Sequence, residues 1–389
     1  MTFLQRTAYI FLAALMLFIA CSDDLSVPTL SQDTETYPLI TSSNVKNIIF
    51  FIGDGMGITE IASARIKTVG PNGKLYMDRM PVTGFSTTHS SDNIVTDSAA
   101  SGTALATGMK TENGMIGMTP DGTSYQSILR AAQDKGMQTG VIATSTITHA
   151  TPASFVAHVP ERNDQAKIAE HLIMSNVNVL LGGGKHFFIP STSEGSERTD
   201  SRNLLDEAKQ RGYSFVETKE ALALQRNGRV LGLFQYGPMT TQEPEPSIAE
   251  MTAKAVDLLK ESQNGFFLMV EGSQIDWAGH DNDEQENYRQ TLLFDMAVKE
   301  GLEFALQNRE TLIVVTADHE TGGMNIVRGG ISGDDLTIRW IHGSHTGTPV
   351  PVFAFGPGAE NFTGTLDNTD IPKIMARLLN ISDFPRVVN

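Results

Sequence analysis

Short runs of apolar residues alternate along the chain with longer segments in which apolar and polar residues recur at helical spacing. The run at residues 47–52 is β-branched and aromatic after its first residue, which is typical of a strand buried in a parallel sheet. Similar strands are predicted at residues 139–143, 177–181, 265–270, 311–316 and 350–355, and helices at residues 124–135, 165–175, 248–262, 283–307 and 370–379. The alternation predicts an α/β fold with a doubly wound, mostly parallel central sheet flanked by helices.

Two stretches do not fit this alternation. Residues from 185 to about 246 are polar and mixed in pattern, and Pro244 and Pro246 lie at their end. Residues 328–344 form a second, shorter stretch between two predicted strands. We interpret the first stretch as an insertion, and the second as a loop, of a single domain that covers residues 45–389.

The N-terminal segment is typical of an export signal. Arg6 precedes an apolar run from residue 8 to residue 20, which is too short to span a bilayer but suits the core of a signal peptide. The run ends at Cys21, the only cysteine, in a segment that resembles a bacterial lipobox. We therefore predict a signal peptide at residues 1–20, a lipid-anchored tether at residues 21–44 and a periplasmic or cell-surface lipoprotein. An ordinary signal peptide cleaved nearby is the alternative.

Composition and charge narrow the functional classes. A chain of 389 residues with 40% apolar content can bury a large core, and its 35 glycines suit many short loops. The net charge of -16 argues against a nucleic-acid-binding surface, which requires clustered lysine and arginine. An anionic substrate is compatible with this charge only where bound cations locally reverse its sign.

Residues 96–104 place Ser98 directly after Asp97, at the head of a run of small residues that predicts a helix. At a helix N-terminus, unpaired backbone N–H groups and the helix dipole favour an anion. Serine is also a common helix cap at such a position. From this stretch alone, both a cap and a nucleophile are open interpretations of Ser98.

Acidic and histidine residues lie at or near the ends of several predicted strands. Asp54 follows the first strand, Glu271 follows the strand at residues 265–270, and Asp318 and His319 follow the strand at residues 311–316. Nearby segments add Asp276, His280 and His345. Because open α/β sheets bind ligands at the carboxyl ends of their strands, we expect these side chains to converge. Oxygen and imidazole donors without a thiolate suit zinc and magnesium.

Taken together, these motifs resemble those of the alkaline phosphatases, over residues 47 to 381. The motifs occur in the family order, at residues 53–57, 96–100, 148–153, 271–276, 316–323 and 343–346. The version with His149 and Trp277 looks most like that of compact bacterial enzymes, including cold-active marine ones. The resemblance implies metal-dependent hydrolysis of phosphate monoesters, and it implies that the enzyme forms a homodimer.

The resemblance also implies individual roles. Ser98 is the implied nucleophile, which forms a phosphoserine, and Arg162 matches the arginine that grips phosphate; a surface salt bridge is its alternative role. The implied cofactors are two Zn²⁺ ions and one Mg²⁺ ion per subunit. The implied ligands of one zinc are Asp276, His280 and His345. Those of the second zinc are Asp54, Asp318 and His319, with the Ser98 oxygen, and those of the magnesium are Asp54, Glu271 and Thr151.

Two positions depart from the best-known bacterial pattern. His149 stands where some relatives have a carboxylate beside the magnesium, so it is expected to act through metal-bound water. Trp277 replaces a polar or basic residue, and either rims the substrate pocket or only packs. Alternatives to the monoesterase are a phosphodiesterase or sulfatase of the same superfamily, and a non-catalytic phosphate-binding surface lipoprotein. Ser98 favours monoesters, because related diesterases tend to use threonine and sulfatases a modified cysteine.

Overall fold

The computed structural model describes residues 34–41 and 44–388. Its strands are β1 (Asn47–Gly53), β2 (Val82–Thr87), β3 (Gln138–Thr146), β4 (Val179–Gly183), β5 (Tyr213–Val216), β6 (Arg229–Leu233), β7 (Phe266–Gly272), β8 (Thr311–Thr316), β9 (Glu320–Thr321), β10 (Asn325–Arg328), β11 (Thr337–Arg339), β12 (His345–Thr346), β13 (Val350–Phe355) and β14 (Gly364–Asp367). Its α-helices are α1 (Ile58–Val69), α2 (Ser98–Thr107), α3 (Ile128–Asp134), α4 (Ala150–Ser154), α5 (Gln165–Met174), α6 (Leu204–Gln210), α7 (Lys219–Ala223), α8 (Ile248–Leu259), α9 (Gln274–Asp281), α10 (Glu284–Gln307) and α11 (Asp370–Leu378).

Ten strands form one central sheet in the order β14-β2-β13-β8-β1-β7-β3-β4-β6-β5. Strand β13 runs antiparallel to its neighbours β2 and β8, whereas the other neighbouring strands of this sheet are parallel. Two short antiparallel pairs, β10 with β11 and β12 with β9, lie outside it. The predicted mostly parallel α/β sheet is therefore confirmed.

The register of the middle strands brings the candidate ligands to one edge of the sheet. Strand β1 lies between β7 and β8, and its Ile52 is opposite both Glu271 of β7 and Thr316 of β8. Because the three strands are parallel, the residues that follow them emerge side by side. Asp54 and Asp318 thus lie next to Glu271 at what we call the carboxyl edge.

Both faces of the sheet are buried, which explains the continuous apolar pattern of the central strands. Phe50 of β1 packs into a cluster with residues of α2, α3, α5 and α11, and Phe51 packs on the other face with residues of α1, α8 and α10. Phe51 meets Phe294 of α10 edge to face, with ring centroids 6.1 Å apart. Packing on both faces holds the strand ends in fixed positions.

The segment predicted as an insertion takes part in this sheet. Residues 185–246 contain α6, β5, α7 and β6, and β6 pairs in parallel with both β4 and β5. The interpretation of the segment as lying outside the alternation is therefore wrong. Strands β5 and β6 have only four and five residues, so their short apolar runs do not stand out from the polar sequence around them.

Other differences from the predicted elements are smaller. Strands β2 and β14 lie at one end of the sheet and were not predicted. Helix α3 begins at Ile128 rather than at residue 124, because the side chain of Ser127 caps it by accepting a hydrogen bond from the backbone N–H of Arg130 at 3.1 Å. The predicted loop at residues 328–344 contains β11, which pairs with β10 in a hairpin.

Part of the predicted tether packs against the domain. The backbone N–H of Tyr37 donates to the carbonyl of Arg79 at 2.8 Å, and its ring lies 5.6 Å from that of Phe355. Ile40 is buried. The predicted signal peptide and Cys21 lie outside the described residues. Among the helices of residues 34–41 and 44–388, none is long and apolar enough to cross a membrane.

A buried carboxyl group on α10 provides a test of the packing. Asp295 accepts hydrogen bonds from the backbone N–H groups of Tyr76 and Met77, each at 2.9 Å, and burial raises its pKa to about 7. Asp295→Ala removes both acceptors, and each buried N–H left unpaired costs about 1–3 kcal/mol. We expect the free energy of unfolding to fall by at least about 2 kcal/mol near pH 5.

The pH dependence of this loss has a defined sign. A carboxyl group whose pKa is raised in the folded state contributes most stability at low pH, and this contribution is lost as the pH rises through the interval from 3.8 to about 7. Denaturant unfolding of both proteins should therefore give a smaller difference near pH 8 than near pH 5. A difference that stays constant or widens contradicts the protonation assigned to Asp295.

Candidate active site

The candidate active site is a cleft at the carboxyl edge of the sheet. Its volume is about 490 Å³, and its wall includes Ser98, His149, Arg162, Trp277 and His345. These residues come from five separate segments of the chain. The fold therefore brings together the predicted nucleophile, the predicted phosphate-binding arginine and, with Asp276 and His280 also in the wall, the three predicted ligands of one zinc.

Ser98 is the first residue of α2, and the cap of this helix is Asp97. The side chain of Asp97 accepts a hydrogen bond from the backbone N–H of Ala100 at 2.9 Å. The interpretation of Ser98 as the helix cap is therefore wrong. The buried Oγ of Ser98 instead lies 3.3 Å from Nε2 of His319. This hydroxyl lies at the N-terminus of a ten-residue helix, where the helix dipole favours an anion.

The first cluster of donor atoms comprises Asp54, Asp318 and His319, all of them fully buried. Nε2 of His319 lies 3.2 Å from Oδ2 of Asp318 and 3.6 Å from Oδ1 of Asp54. Oδ1 of Asp318 accepts hydrogen bonds from the backbone N–H groups of Gly55 and His319, at 3.1 and 2.9 Å. These bonds fix one carboxylate oxygen and leave the other facing the cluster.

The second cluster is formed by Asp276 and His280, one turn apart on α9, together with His345 of β12. Nε2 of His280 lies 3.1 Å from Nε2 of His345 and 3.3 Å from Oδ2 of Asp276. The outer nitrogen of each ring faces a backbone carbonyl: that of Gly343 at 3.0 Å for His280, and that of Thr96 at 2.8 Å for His345. Such contacts orient a histidine so that its Nε2 points to a metal.

The third cluster joins Asp54 and Glu271 to the segment that leads into α4. Donor atoms of Asp54, Glu271 and His149 lie within 4.8 Å of one another. Oε2 of Glu271 accepts a hydrogen bond from the hydroxyl of Ser273 at 2.6 Å. Thr151, the remaining predicted magnesium ligand, is fully buried on α4. Asp54 belongs to both the first and the third clusters, and so links them.

Several donor atoms of these clusters have no hydrogen-bond partner within the described part of the chain. They are both carboxylate oxygens of Asp54, Oε1 of Glu271, Oδ2 of Asp318 and Oγ1 of Thr151. Burial raises the pKa of Glu271 to about 7 and that of Asp318 to about 8, and raises the pKa of Asp54 well above its usual value. Unpaired buried carboxylates are costly, and divalent cations remove that cost. The donor set fits zinc and magnesium.

The carboxylate of Asp276 has a different environment from these acids. Burial opposes its ionisation, but the hydrogen bond from His280 and the nearby imidazoles of His319 and His345 hold its pKa below the usual range. The hydrogen bond to Asp276 in turn raises the pKa of His280 to about 9. Thr321 also donates a short hydrogen bond to Oδ1 of Asp276.

Arg162 lies at the wall of the cleft and makes two contacts there. Its NH1 donates to Oδ2 of Asp97 at 2.9 Å, and its NH2 lies 3.2 Å from Nε2 of His149. Burial, aided by the charge of Arg162, lowers the pKa of His149 to about 3, so this imidazole is neutral. The ring of His149 meets that of Trp277 edge to face, with centroids 6.1 Å apart. The salt bridge of Arg162 therefore belongs to the cleft.

Sequence reasoning missed two residues that support the predicted ligands. Asp97 holds Arg162 and caps α2 (its position directly before a run of small residues is itself a cap signature). Thr321 contacts both Asp276 and His319 from the two-residue strand β9. Thr321 lies in the motif at residues 316–323, but no pattern indicates its contacts, because a strand of two residues has no recognisable periodicity.

Removal of metal provides a test of these clusters. A ligand that binds only the folded state stabilises it, so a chelator should lower the unfolding temperature by about 5–10 °C, and added zinc and magnesium should restore it. Asp54→Ala removes the residue shared by two clusters, and should reduce the shift that chelation causes to about half or less. Asp295→Ala, a buried acid outside the clusters, should keep the full shift. An equal shift in Asp54→Ala contradicts the assignment.

Three comparisons place the chain among known proteins. It matches the alkaline phosphatase family over residues 45–335 and 332–381. It is 36% identical to alkaline phosphatase 4 of Bacillus subtilis (strain 168), over 87% of this chain and 89% of that protein. Its structure resembles that of alkaline phosphatase from the Antarctic bacterium TAB5, with a TM-score of 0.79, 33% identity, and coverage of 87% of this chain and 98% of the other.

Two further structures extend the likeness. One is a mutant of the TAB5 enzyme with Mg bound in the M3 site. Its TM-score is 0.79 and its identity 32%, over 87% of this chain and 99% of the other. The other is a cold-active alkaline phosphatase from a psychrophilic Shewanella. Its TM-score is 0.78 and its identity 30%, over 86% of this chain and 99% of the other. The predicted resemblance is confirmed. Since family match, sequence relatives and structure agree over most of the chain, the protein belongs to the alkaline phosphatase family and hydrolyses phosphate monoesters.

Proposed function

We propose that hydrolysis proceeds through a phosphoserine on Ser98, with the phosphate held by Arg162. The observation that carries this proposal is the position of the Ser98 hydroxyl. It lies at the N-terminus of α2, 3.3 Å from Nε2 of His319, in the wall of the cleft that also contains Arg162. A nucleophile, an anion-binding helix terminus and a guanidinium group therefore share one space.

The reaction has two displacements at phosphorus. In the first, Oγ of Ser98 gives up its proton and bonds to phosphorus, and the bond to the substrate's alcohol oxygen breaks, so that the alcohol leaves with a proton. In the second, water bonds to phosphorus, the bond to Oγ breaks, and inorganic phosphate is released as Ser98 regains a proton. A covalent intermediate divides one difficult step into two easier ones.

Arg162 orients the phosphate throughout these steps. Its planar guanidinium can hold two non-bridging oxygens at once. The contacts of NH1 with Asp97 and of NH2 with His149 limit rotation of this plane. Because the imidazole of His149 is neutral, its Nε2 can accept a hydrogen bond from Arg162 instead of repelling the guanidinium group.

The donor clusters support two zinc ions and one magnesium ion per subunit. We propose that the ligands of one zinc are Asp276, His280 and His345, whose donor atoms lie 3.1–3.5 Å apart. We propose Asp54, Asp318 and His319, with the Ser98 oxygen, for the other zinc, and Asp54, Glu271 and Thr151 for the magnesium. When bound, such ions neutralise developing negative charge and lower the pKa of a coordinated hydroxyl or water. A histidine-to-aspartate mutant of the TAB5 enzyme holds Mg in its M3 site, and the unpaired oxygens of Asp54, Glu271 and Thr151 are the support for the same metal in this chain.

His149 and Trp277 are proposed to shape the cleft around the reacting phosphate. A ring nitrogen of His149 lies close to donor atoms of Asp54 and Glu271, which places it beside the magnesium ligands. Trp277 is half-buried and lines the cleft, so its ring can contact the alcohol part of a substrate. The phosphodiesterase, sulfatase and non-catalytic binding alternatives gain no support from any feature of the described residues.

The position of Ser98 and the substrate class are tested together. Hydrolysis rates of a nitrophenyl monoester, its bis-nitrophenyl diester and its sulfate ester are compared for the metal-loaded wild type, and we expect the monoester rate to dominate. Ser98→Ala should lower kcat for the monoester by at least about 10³-fold, because the covalent route is lost. Thr107→Val is the control at the far end of the same helix, where the hydroxyl bonds to the carbonyl of Thr103 and the N–H of Met109. A residual rate in Ser98→Ala close to that of the wild type contradicts the phosphoserine route.

We also propose that the enzyme is exported and anchored to a bacterial membrane by a lipid on Cys21, and that it forms a homodimer. The apolar run that ends at this cysteine supports the anchor, and family membership supports the dimer. Cys21→Ser should move the protein from the detergent phase to the aqueous phase in a phase-partition assay, with activity retained. A wild-type protein found only in the aqueous phase contradicts the anchor.

A further inference from the structure

We infer that Asn113 is a positioning residue for this reaction. Its side chain fixes the position of the backbone of Asp97, and Gly114, which follows it, connects Asp97 to the backbone of Arg162. The inference rests on the roles proposed above for Ser98 and Arg162. It concerns a side chain in the wall of the cleft to which no metal and no chemical step has been assigned.

The amide group of Asn113 makes two hydrogen bonds that together define its orientation. Its Oδ1 accepts from the backbone N–H of Asp97 at 3.1 Å, and its Nδ2 donates to the carbonyl of Val95 at 3.1 Å. Because one partner is a donor and the other an acceptor, the amide cannot flip without losing both bonds. The backbone N–H of Asn113 is itself held by Oδ1 of Asp92, at 3.1 Å.

Gly114 extends this contact to Arg162. Its backbone N–H donates to Oδ2 of Asp97 at 3.1 Å, and its carbonyl accepts from the backbone N–H of Arg162 at 2.8 Å. The φ angle of Gly114 is 90°, a left-handed conformation that glycine adopts without a steric penalty. Since NH1 of Arg162 also donates to Oδ2 of Asp97, the turn at residues 113–114 contacts both ends of the Asp97–Arg162 pair.

The ion pair needs this support because it lies partly in solvent. The side chains of Asp97 and Arg162 are each 20% exposed, and ion pairs open to water hold their geometry weakly. The turn instead fixes the backbone of both residues. Asp97 also caps α2 through its Oδ1, so its backbone position determines where that helix begins, and therefore where Ser98 lies.

The first variant to measure is Asn113→Ala, as the metal-loaded enzyme with nitrophenyl phosphate as substrate and inorganic phosphate as inhibitor. Misplacement of a reacting group by about 1 Å can lower a rate about 10²-fold. We expect kcat/KM to fall by about ten- to a hundredfold, and the inhibition constant of phosphate to rise about tenfold. Metal content and unfolding temperature should match those of the wild type.

A matched control lies in the loop that precedes α2, at residues 88–97. Oδ1 of Asn93 accepts a hydrogen bond from the backbone N–H of Val95 at 3.0 Å, and within the described residues its side chain has no hydrogen bond with Asp97 or Arg162. Asn93→Ala thus removes a similar side chain–backbone bond without touching the pair. It should leave the phosphate inhibition constant within about twofold of that of the wild type.

A double-mutant cycle separates positioning from general loosening of the loop. If Asn113 acts on phosphate through Arg162, then Asn113→Ala in an Arg162→Ala background should change the phosphate inhibition constant by less than about twofold. An equal effect in both backgrounds overturns the inference, and so does an unchanged constant in Asn113→Ala alone.

Two further outcomes keep the inference separate from the proposed function. If Arg162→Ala itself leaves phosphate inhibition unchanged, the proposed role of Arg162 is wrong, and the inference fails with it. If Arg162→Ala weakens inhibition and Asn113→Ala does not, only the inference fails. If Asn113→Ala does not fold, Asn113→Ser takes its place, because serine is too short to reach both partners yet remains polar. The inference is then judged by kcat/KM and by the inhibition constant of phosphate in that variant.

Discussion

The structure depends on a group of buried carboxylates whose charge the described chain does not neutralise. Oxygens of Asp54, Glu271 and Asp318 face one another at full burial without hydrogen-bond partners. Burial and mutual repulsion would keep such groups protonated, and bound divalent cations reverse this preference. The same cations allow a chain of net charge -16 to bind a phosphate dianion. The same bound cations thus offset the charge of the buried carboxylates and the charge of the substrate.

Parallel strands hold these carboxylates close together in the fold. The strands β8, β1 and β7 are in register and packed on both faces, so the residues at their ends have little freedom to move apart. The residues after β1 and β8 supply the carboxylates of Asp54 and Asp318 and the imidazole of His319, whereas α9 and β12 contribute the imidazoles of His280 and His345 from the rim. Ser98, the proposed nucleophile, comes from yet another segment, at the start of α2. Each segment carries part of the site, and none carries it alone.

Much of this arrangement could be predicted from the sequence. Buried strands with continuous apolar runs, such as β1 and β8, were predicted closely, because burial on both faces leaves a clear pattern. The short strands β5 and β6 were missed, since their runs are too brief. The ligand clusters followed from strand ends and from the family resemblance. By contrast, the contacts of Thr321 and Asn113 depend on tertiary geometry, which no local pattern records; the cap at Asp97 does have a local signature, which was overlooked.

The central claim is that the strand-end clusters hold the metal ions. Anomalous X-ray scattering at the zinc edge, from crystals of the metal-loaded enzyme, tests it most directly. We predict one peak among Asp276, His280 and His345, a second among Asp54, Asp318 and His319, and no zinc signal beside Glu271 and Thr151 when magnesium is in excess. Zinc peaks outside these clusters, or fully occupied crystals with only one peak, would contradict the account.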